Sequence, residues 1–497
     1  MLSLEQLSLM VKEHLGFYSY ADGIQHYSKW NICESTLGGR GLICSEDIMP
    51  GEVLFVDHPL ICGPRAGTIV QQGCTVCCKL ESDTFFKCPK CALLLCSEKC
   101  QKTNTHVEDC MLISRWNKKV SIDDIDVNIM SRALTTIRAL MLNKNQRQFM
   151  ASLQAHTLPQ HGSEIRNLKD YFDIPEEEEE LMIIACCALD TNAFQISTSY
   201  GKKEMSIRGL YPVAGLMNHC CVPNTRYSYN TDRQMTVKAV KPIRAGTEIF
   251  TCYTGVLWGT PARRTHLFKT KHFSCKCDRC ADPTERGTLL AALKCFSAEC
   301  PGCLLPIEPL KSSSAWKCIQ CNLRVPYNNI CAIQAALGSL MGTLDFENVA
   351  ELENFLLHRF TKYIPRTNQI SVDLQCRLIW ELGDADGYRW HDLSQSRLAL
   401  KESLCRGTLR ILAALGAGDA HLRGLLLYHL HAALAERARR CPDQYEELKT
   451  EIERTIDQAH QILQGDISAP PDLELRRRYL GPGCDKPQEE RFFILDA

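Results

Sequence analysis

The sequence predicts an α+β protein: a β-containing first part carrying zinc modules, followed by an all-helical C-terminal part. Three observations predict it. A dense run of cysteine pairs with one histidine occupies residues 74–110. Strand-like runs stand on both sides of that block, at Val53-Leu54-Phe55-Val56 and at Glu248-Ile249-Phe250-Thr251-Cys252-Tyr253. From Asn328 to Gln464 the apolar spacing is helical throughout, with no metal motif.

The chain of 497 residues is too long for one ordinary core, and two to four domains are expected. Its formal net charge is −1 with 23% charged residues, so no global basic field points to nucleic acid. The start, Met1-Leu2-Ser3-Leu4-Glu5-Gln6, does not read as a secretory signal, and no apolar run reaches membrane-spanning length. The 29 cysteines are therefore expected in a reducing compartment, cytoplasmic or nuclear, as metal ligands and buried thiols.

Taken in order, Leu4, Leu7 and Met10 suggest a short amphipathic helix leading into the fold. Gly38-Gly39-Arg40-Gly41 then offers a turn in which backbone can approach a neighbour closely, and Pro50-Gly51-Glu52 is a turn before a strand. Next come Cys74-x-x-Cys77, Cys88-x-x-Cys91, Cys96-x-x-x-Cys100 and His106-x-x-x-Cys110. A C-x-x-C knuckle lets two sulfurs reach one ion, and i, i+4 spacing puts two ligands on one helix face. These are eight ligands for two zinc ions, with Cys78 as an extra neighbour of Cys77.

Residues 121–185 read mostly helical, with Met130, Leu134, Ile137 and Met141 at helical spacing. The acidic run Glu176 to Glu180 after Pro175 reads as a solvated helix start, where the dipole favours anions. Further on stands Asn218-His219-Cys220-Cys221-Val222-Pro223-Asn224, and later Cys275-x-Cys277-x-x-Cys280. Three thiolates are one short of tetrahedral zinc, and Cys221 or Cys220 can supply the fourth. Cys300-x-x-Cys303 and Cys318-x-x-Cys321 suit a small zinc ribbon, with Cys295 as a competitor for one place. In the helical part, Gly424 to Ala435 followed by Tyr445 to Leu463 is compatible with a tetratricopeptide-like hairpin, without a clean repeat. His429 and His431 read as packing or surface residues, and the apolar tail Phe492-Phe493-Ile494-Leu495 as a segment that docks back.

Together these motifs resemble the SET domain of protein lysine methyltransferases, and more closely the SMYD family of arthropod type, in which a MYND zinc module is inserted into the SET domain. The family pattern N-H-S-C-x-P-N, G-E-E-(I/L)-x-x-x-Y, C-x-C-x-x-C is met here except that Cys220 replaces Ser and Thr247 replaces the first Glu. The resemblance covers about Asn31 to Cys321. It implies a division into 1–73 (first part of SET), 74–110 (MYND), 111–190 (helical insertion), 191–256 (core SET), 257–327 (zinc-binding post-SET region) and 328–497 (helical, tetratricopeptide-like).

By the family's arrangement Cys74, Cys77, Cys96 and Cys100 hold one ion, and Cys88, Cys91, His106 and Cys110 another. Cys221, Cys275, Cys277 and Cys280 hold a third. The implied cofactor is S-adenosylmethionine, with Gly39, Arg40, Gly41, Asn192, Asn218, His219, Tyr253 and Phe273 around it. Tyr253 is the implied catalytic residue, placed to align a lysine amine. The implied partner is a protein substrate with a target lysine, with peptide motifs as possible ligands of the MYND surface. Two functions follow from the resemblance: an active lysine methyltransferase, or a docking scaffold or co-repressor with weak or no catalysis. A nucleic-acid reader is disfavoured by the near-zero charge and by the ligand spacing of the finger.

Overall fold

The computed structural model describes residues 2–22, 29–65, 72–156, 162–197, 199–201, 204–484, 486–487 and 491–492. The first part is built on three small sheets. In one, Trp30–Glu34, Arg40–Cys44, Glu248–Thr251 and Asn218–His219 lie side by side in that order. The last of these runs parallel to its neighbour, with Asn218 opposite Phe250 and His219 opposite Thr251, while the others pair antiparallel. Gly38 and Gly39 sit at φ +98° and +72°, so the turn into Arg40–Cys44 favours residues without a Cβ. In the second sheet Met235–Ala239 is central between Val53–Asp57 and Thr225–Tyr229. Its hairpin closes because Asn230 Oδ1 accepts from the backbone N–H groups of Asp232 and Gln234. In the third, Ile207–Leu210 lies between Ile61–Pro64 and Phe194–Ile196.

The N-terminal helix Leu4–Asp22 buries Leu7, Val11 and Leu15 against this core. Its His14 meets Asp57 Oδ1 at 3.0 Å, and Asp57 Oδ2 accepts from the N–H groups of Val213 and Ala214 at 2.9 and 2.8 Å. This buried carboxylate holds the turn Ala214–Leu216, which delivers the chain to Asn218.

Residues 74–110 form a compact insert with the strand pair Phe86–Lys87 and Leu94–Leu95 and the helices Glu98–Gln101 and Asn104–Ser114. Ser97 and Thr103 cap those helices. The insert is pinned to the helical stretch behind it by a buried two-pronged pair, Arg138 Nε and Nη2 to Asp109 Oδ1 and Oδ2 at 2.9 and 2.6 Å. Helix Val127–Ile137 buries Met130, Leu134 and Ile137 as the spacing predicts. Met141 departs from that expectation. The helix tightens into a 3-10 turn over Arg138–Met141, which changes the angle per residue, and Met141 ends exposed. Glu176 to Glu180 do open a helix, Glu176–Asn192, but not all are merely solvated. Glu178 accepts from Arg115 and from the Trp116 indole, and Glu179 pairs with Lys169.

Beyond Tyr253 the helix Thr260–Lys271 leads to the cysteine turn around Asp278–Ala281. A four-stranded ribbon follows, Leu293–Lys294, Cys303–Pro306, Trp316–Cys318 and Arg324–Val325. The rest is helical. His421–Arg440 and Tyr445–Leu463 form an antiparallel hairpin so close that a Cβ on Gly424 would lie 2.7 Å from Ile462. His429 and His431 are both buried in it, as packing residues. Phe492 packs edge-on to Tyr445 with ring centroids 5.6 Å apart, whereas Phe493, Ile494 and Leu495 lie outside the described residues. Among the described residues no helix is long and apolar enough to cross a membrane.

Candidate active site

The centre of the site is the parallel pairing of Asn218–His219 with the strand that ends just before Tyr253. Asn224 locks it from the far side. Its amide donates to Glu248 O at 2.8 Å and its Oδ1 accepts from Phe250 N at 2.7 Å. His219 then joins two structures. Its Nδ1 accepts from Tyr253 N at 3.0 Å, and its Nε2 lies 3.2 Å from Cys221 Sγ. A neutral ring protonated on Nε2 satisfies both contacts. Burial agrees, pushing His219 down to about 4. The Tyr253 hydroxyl donates to Met217 O at 2.6 Å, which leaves its oxygen lone pairs free to accept. Burial, helped by the Glu248 charge, raises the phenol well above its ordinary value, so it stays protonated at neutral pH.

Cys221 faces Cys275 and Cys280 across the chain, with Sγ–Sγ separations of 3.8 and 3.5 Å, and Cys277 completes the group. Zn–S bonds of about 2.3 Å at tetrahedral angles give sulfur separations of about 3.8 Å, so four thiolates here fit one zinc ion. Cys221, not Cys220, is the member of this group. Behind it stands a buried ion network that the sequence did not reveal. Arg263 directs Nε at Cys221 Sγ (3.2 Å) and Nη2 at Cys280 Sγ (3.5 Å). Its Nη1 pairs with Glu285 Oε2 at 2.6 Å, and Arg279 reaches the same oxygen at 3.0 Å. Four thiolates around Zn2+ carry an excess of negative charge. Two guanidiniums against one carboxylate offset part of it where water cannot.

In front of His219 lies a cleft of about 230 Å³. Of the residues the sequence proposes for a cofactor, Arg40, Asn192, Asn218, His219, Tyr253 and Phe273 all line it. Gly39 and Gly41 do not line its wall. Gly39 shapes the turn, and Gly41 makes room: a Cβ there would lie 2.4 Å from Glu248 Oε1 and 3.1 Å from Asn218 Nδ2. The side-chain nitrogen of Asn218 is already used, donating to Arg40 O and Glu248 Oε1, and that of Asn192 donates to Gln154 O and Ala188 O. Each keeps its side-chain oxygen as an acceptor. Arg40 Nη2 donates to Ser152 O, but its Nη1 is buried without a partner. A buried donor left over on a cleft wall is a fit for a ligand acceptor. Phe273 leans edge-on to Tyr253 and retains 36% of its surface exposed.

Sequence reasoning missed Lys271 in this cleft. Its ammonium donates to Thr191 O at 2.5 Å and lies 5.6 Å from the centre of the Tyr253 ring, with its pKa lowered by burial. No motif marks it; only the end of helix Thr260–Lys271 brings it there. Glu248 was likewise only part of a pattern, yet it accepts from Asn218 and from Ser35 Oγ. Thr247, where the pattern has Glu, is exposed in the turn before the strand, so that departure removes nothing from the cleft. Cys220 is half-buried, and its backbone N–H donates to Thr251 O.

The remaining metal groups lie apart from the cleft. Cys74, Cys77, Cys96 and Cys100 come together, as do Cys88, Cys91, His106 and Cys110, in the two sets that the family resemblance implies. His106 Nδ1 faces Gln101 O at 2.7 Å, which turns Nε2 toward the sulfurs. Cys78 belongs to neither set. The ribbon holds a correction. Its group is Cys295, Cys300, Cys318 and Cys321, and Cys303 is not in it. Leu304 stands directly opposite Cys318, so in a pleated sheet Cys303 faces the other way.

A family model described as "SET domain" matches residues 39–254. The chain is 30% identical over 433 residues to "SET domain-containing protein SmydA-8, isoform B" of Drosophila melanogaster, covering 85% of this chain and 94% of that one. Isoform A of the same protein is 32% identical over 432 residues, covering 85% and 91%. The human protein "Histone-lysine N-methyltransferase SMYD3" is 26% identical over 271 residues, covering 49% of this chain and 59% of that one.

Proposed function

This chain belongs to the SMYD family of SET-domain proteins, and from that we propose that it is an S-adenosylmethionine-dependent protein-lysine N-methyltransferase. The observation that carries the reading is one cleft lined together by Arg40, Asn192, Asn218, His219, Tyr253, Lys271 and Phe273. The bound cofactor supplies an electrophilic methyl group. The chain's own residues bind, align and exclude water. Arg40 and Lys271 bring two cations to one cleft, which suits the carboxylate at the amino-acid end of the cofactor. The exposed ring of Phe273 offers a face for stacking an adenine, and the oxygens of Asn192 and Asn218 accept from polar groups.

Methyl transfer to an amine is an in-line displacement, so positioning supplies most of the rate. The free lysine amine has a pKa of about 10.4 and must arrive neutral; burial and nearby positive charge both favour that form. Tyr253 stays a phenol, and its free lone pairs accept a hydrogen bond from the incoming amine while Met217 O and His219 hold it in place. Each methylation releases one proton from the amine. The substrate is a protein lysine.

The test is calorimetry of S-adenosylmethionine binding to wild type and Tyr253→Phe, with labelled methyl transfer to a protein library measured alongside. Binding by both with transfer by wild type, reduced about 10²-fold or more in the variant, is expected. Absence of binding to folded, zinc-loaded protein would sink the enzyme and leave a docking scaffold.

A further inference from the structure

Outside the SET and MYND portions, four sulfurs converge on the ribbon. Cys295 Sγ lies 3.5 Å from Cys321 Sγ, and Cys300 Sγ lies 3.8 Å from Cys318 Sγ. The four sulfurs all fall within 4.8 Å of one another. That is the spacing a tetrahedral ion with Zn–S bonds of about 2.3 Å imposes. The backbone is shaped for it. Cys295 N donates to Gly302 O, the strand end Cys318 turns back through Gln320, whose N–H points at Cys318 Sγ at 3.4 Å, and Asn322 takes a left-handed φ of +60°. Gly302 has no alternative: a Cβ there would sit 2.7 Å from Cys318 Sγ.

We propose that this group binds a further structural zinc ion through Cys295, Cys300, Cys318 and Cys321, and that the ion fastens the helical C-terminal part to the rest of the chain. The fastening is visible in the bonds around the ribbon. Lys294 N donates to Tyr363 O at 2.8 Å, Asn368 Nδ2 to Ala292 O at 2.8 Å, and Gln369 N to Leu290 O at 2.8 Å. Leu293, Leu304 and Trp316 share one buried core with Phe355, Phe360 and Leu378 of the helices. A ribbon this small buries too little by itself to hold that surface in shape, and a closed metal site supplies the missing stability. The site is independent of the methyltransferase reading, because none of its ligands lines the cleft.

The experiment counts metal per chain by elemental mass spectrometry on the full-length protein, for wild type, Cys295→Ser, Cys295→His and Cys303→Ser. The expected result is one zinc fewer in Cys295→Ser and no change in Cys303→Ser. Cys295→His, which keeps a ligand atom, returns the count to that of wild type. The difference between variants is the readout, so it stands whether or not every other site is filled. An unchanged count in Cys295→Ser, or the loss of one zinc in Cys303→Ser, overturns the proposal. A second measurement needs no variant: iodoacetamide should spare Cys295 in the native protein and modify it once a chelator is added. Modification of Cys295 before chelation overturns the proposal as well.

Discussion

The Cys221 group and the ribbon group carry the same four sulfurs at the same spacing, yet they are built in opposite ways. The ribbon takes all its ligands from one local hairpin unit, residues 295–321, with Cys321 exposed and two more half-buried. The Cys221 group joins residues 54 apart and more, buries three of its four cysteines, and sets Arg263, Arg279 and Glu285 behind them. One site shapes the ribbon and the helices docked on it. The other shapes a cleft it does not line, because Cys221 touches His219 and His219 touches Tyr253. A metal's reach thus depends less on its ligands than on what those ligands are bonded to.

The strongest way to break this contrast is to remove one ligand from each site. Cys275→Ser should cost folding free energy on the order of 10 kcal/mol if its ion is lost, and with it cofactor binding and methyl transfer. Cys318→Ser should lower the unfolding temperature of the helical part while calorimetric cofactor affinity stays within about two-fold, since none of the ribbon ligands lines the cleft. Equal loss of affinity in the two variants would erase the distinction. A smaller effect comes from the buried charges. Arg263→Met leaves Glu285 with Arg279 and the Thr260 N–H and the sulfurs without the Arg263 guanidinium, and should destabilise by about 3–5 kcal/mol in denaturant titration. Among the described residues no guanidinium bonds to the ribbon sulfurs. The smallest effect separates charge from metal. Lys271→Met keeps every zinc ligand and should weaken cofactor binding by about ten-fold, the loss of one charged hydrogen bond, with the zinc count unchanged.

Much of this was legible in the chain. The four MYND ligand pairs could be read because C-x-x-C and i, i+4 spacings fix ligand geometry locally, whereas their interleaving into two sets came from the resemblance and is a tertiary fact. The Asn218-His219 and Tyr253 segments could be recognised by pattern, although their parallel pairing is a long-range fact. The ribbon ligands were misread for a physical reason. Cys300 and Cys303 have knuckle spacing, but strand pairing turns Cys303 to the other face, and register is not written in a count of residues. Lys271, Arg263 and Glu285 were invisible for the same kind of reason. Each is an ordinary charged residue until the fold buries it beside its partner.

The outer strand Thr225–Tyr229 has a consequence for how the chain can be cut. It ends its sheet, but it does not meet water along its whole length: Ile467 N donates to Tyr229 O at 2.7 Å, and Asp419 N reaches Val240 O at 2.9 Å just past the neighbouring strand. Gly418 comes so near that a Cβ would lie 2.1 Å from that same Val240 oxygen. The helical part is therefore a cover for a sheet edge. A protein shortened to end before residue 328 would bare unpaired backbone beside Tyr227 and Tyr229, the kind of edge on which copies of a chain stick to one another. Insolubility of such a fragment would then report a lost lid over a strand, and would say nothing about the chemistry of the cleft.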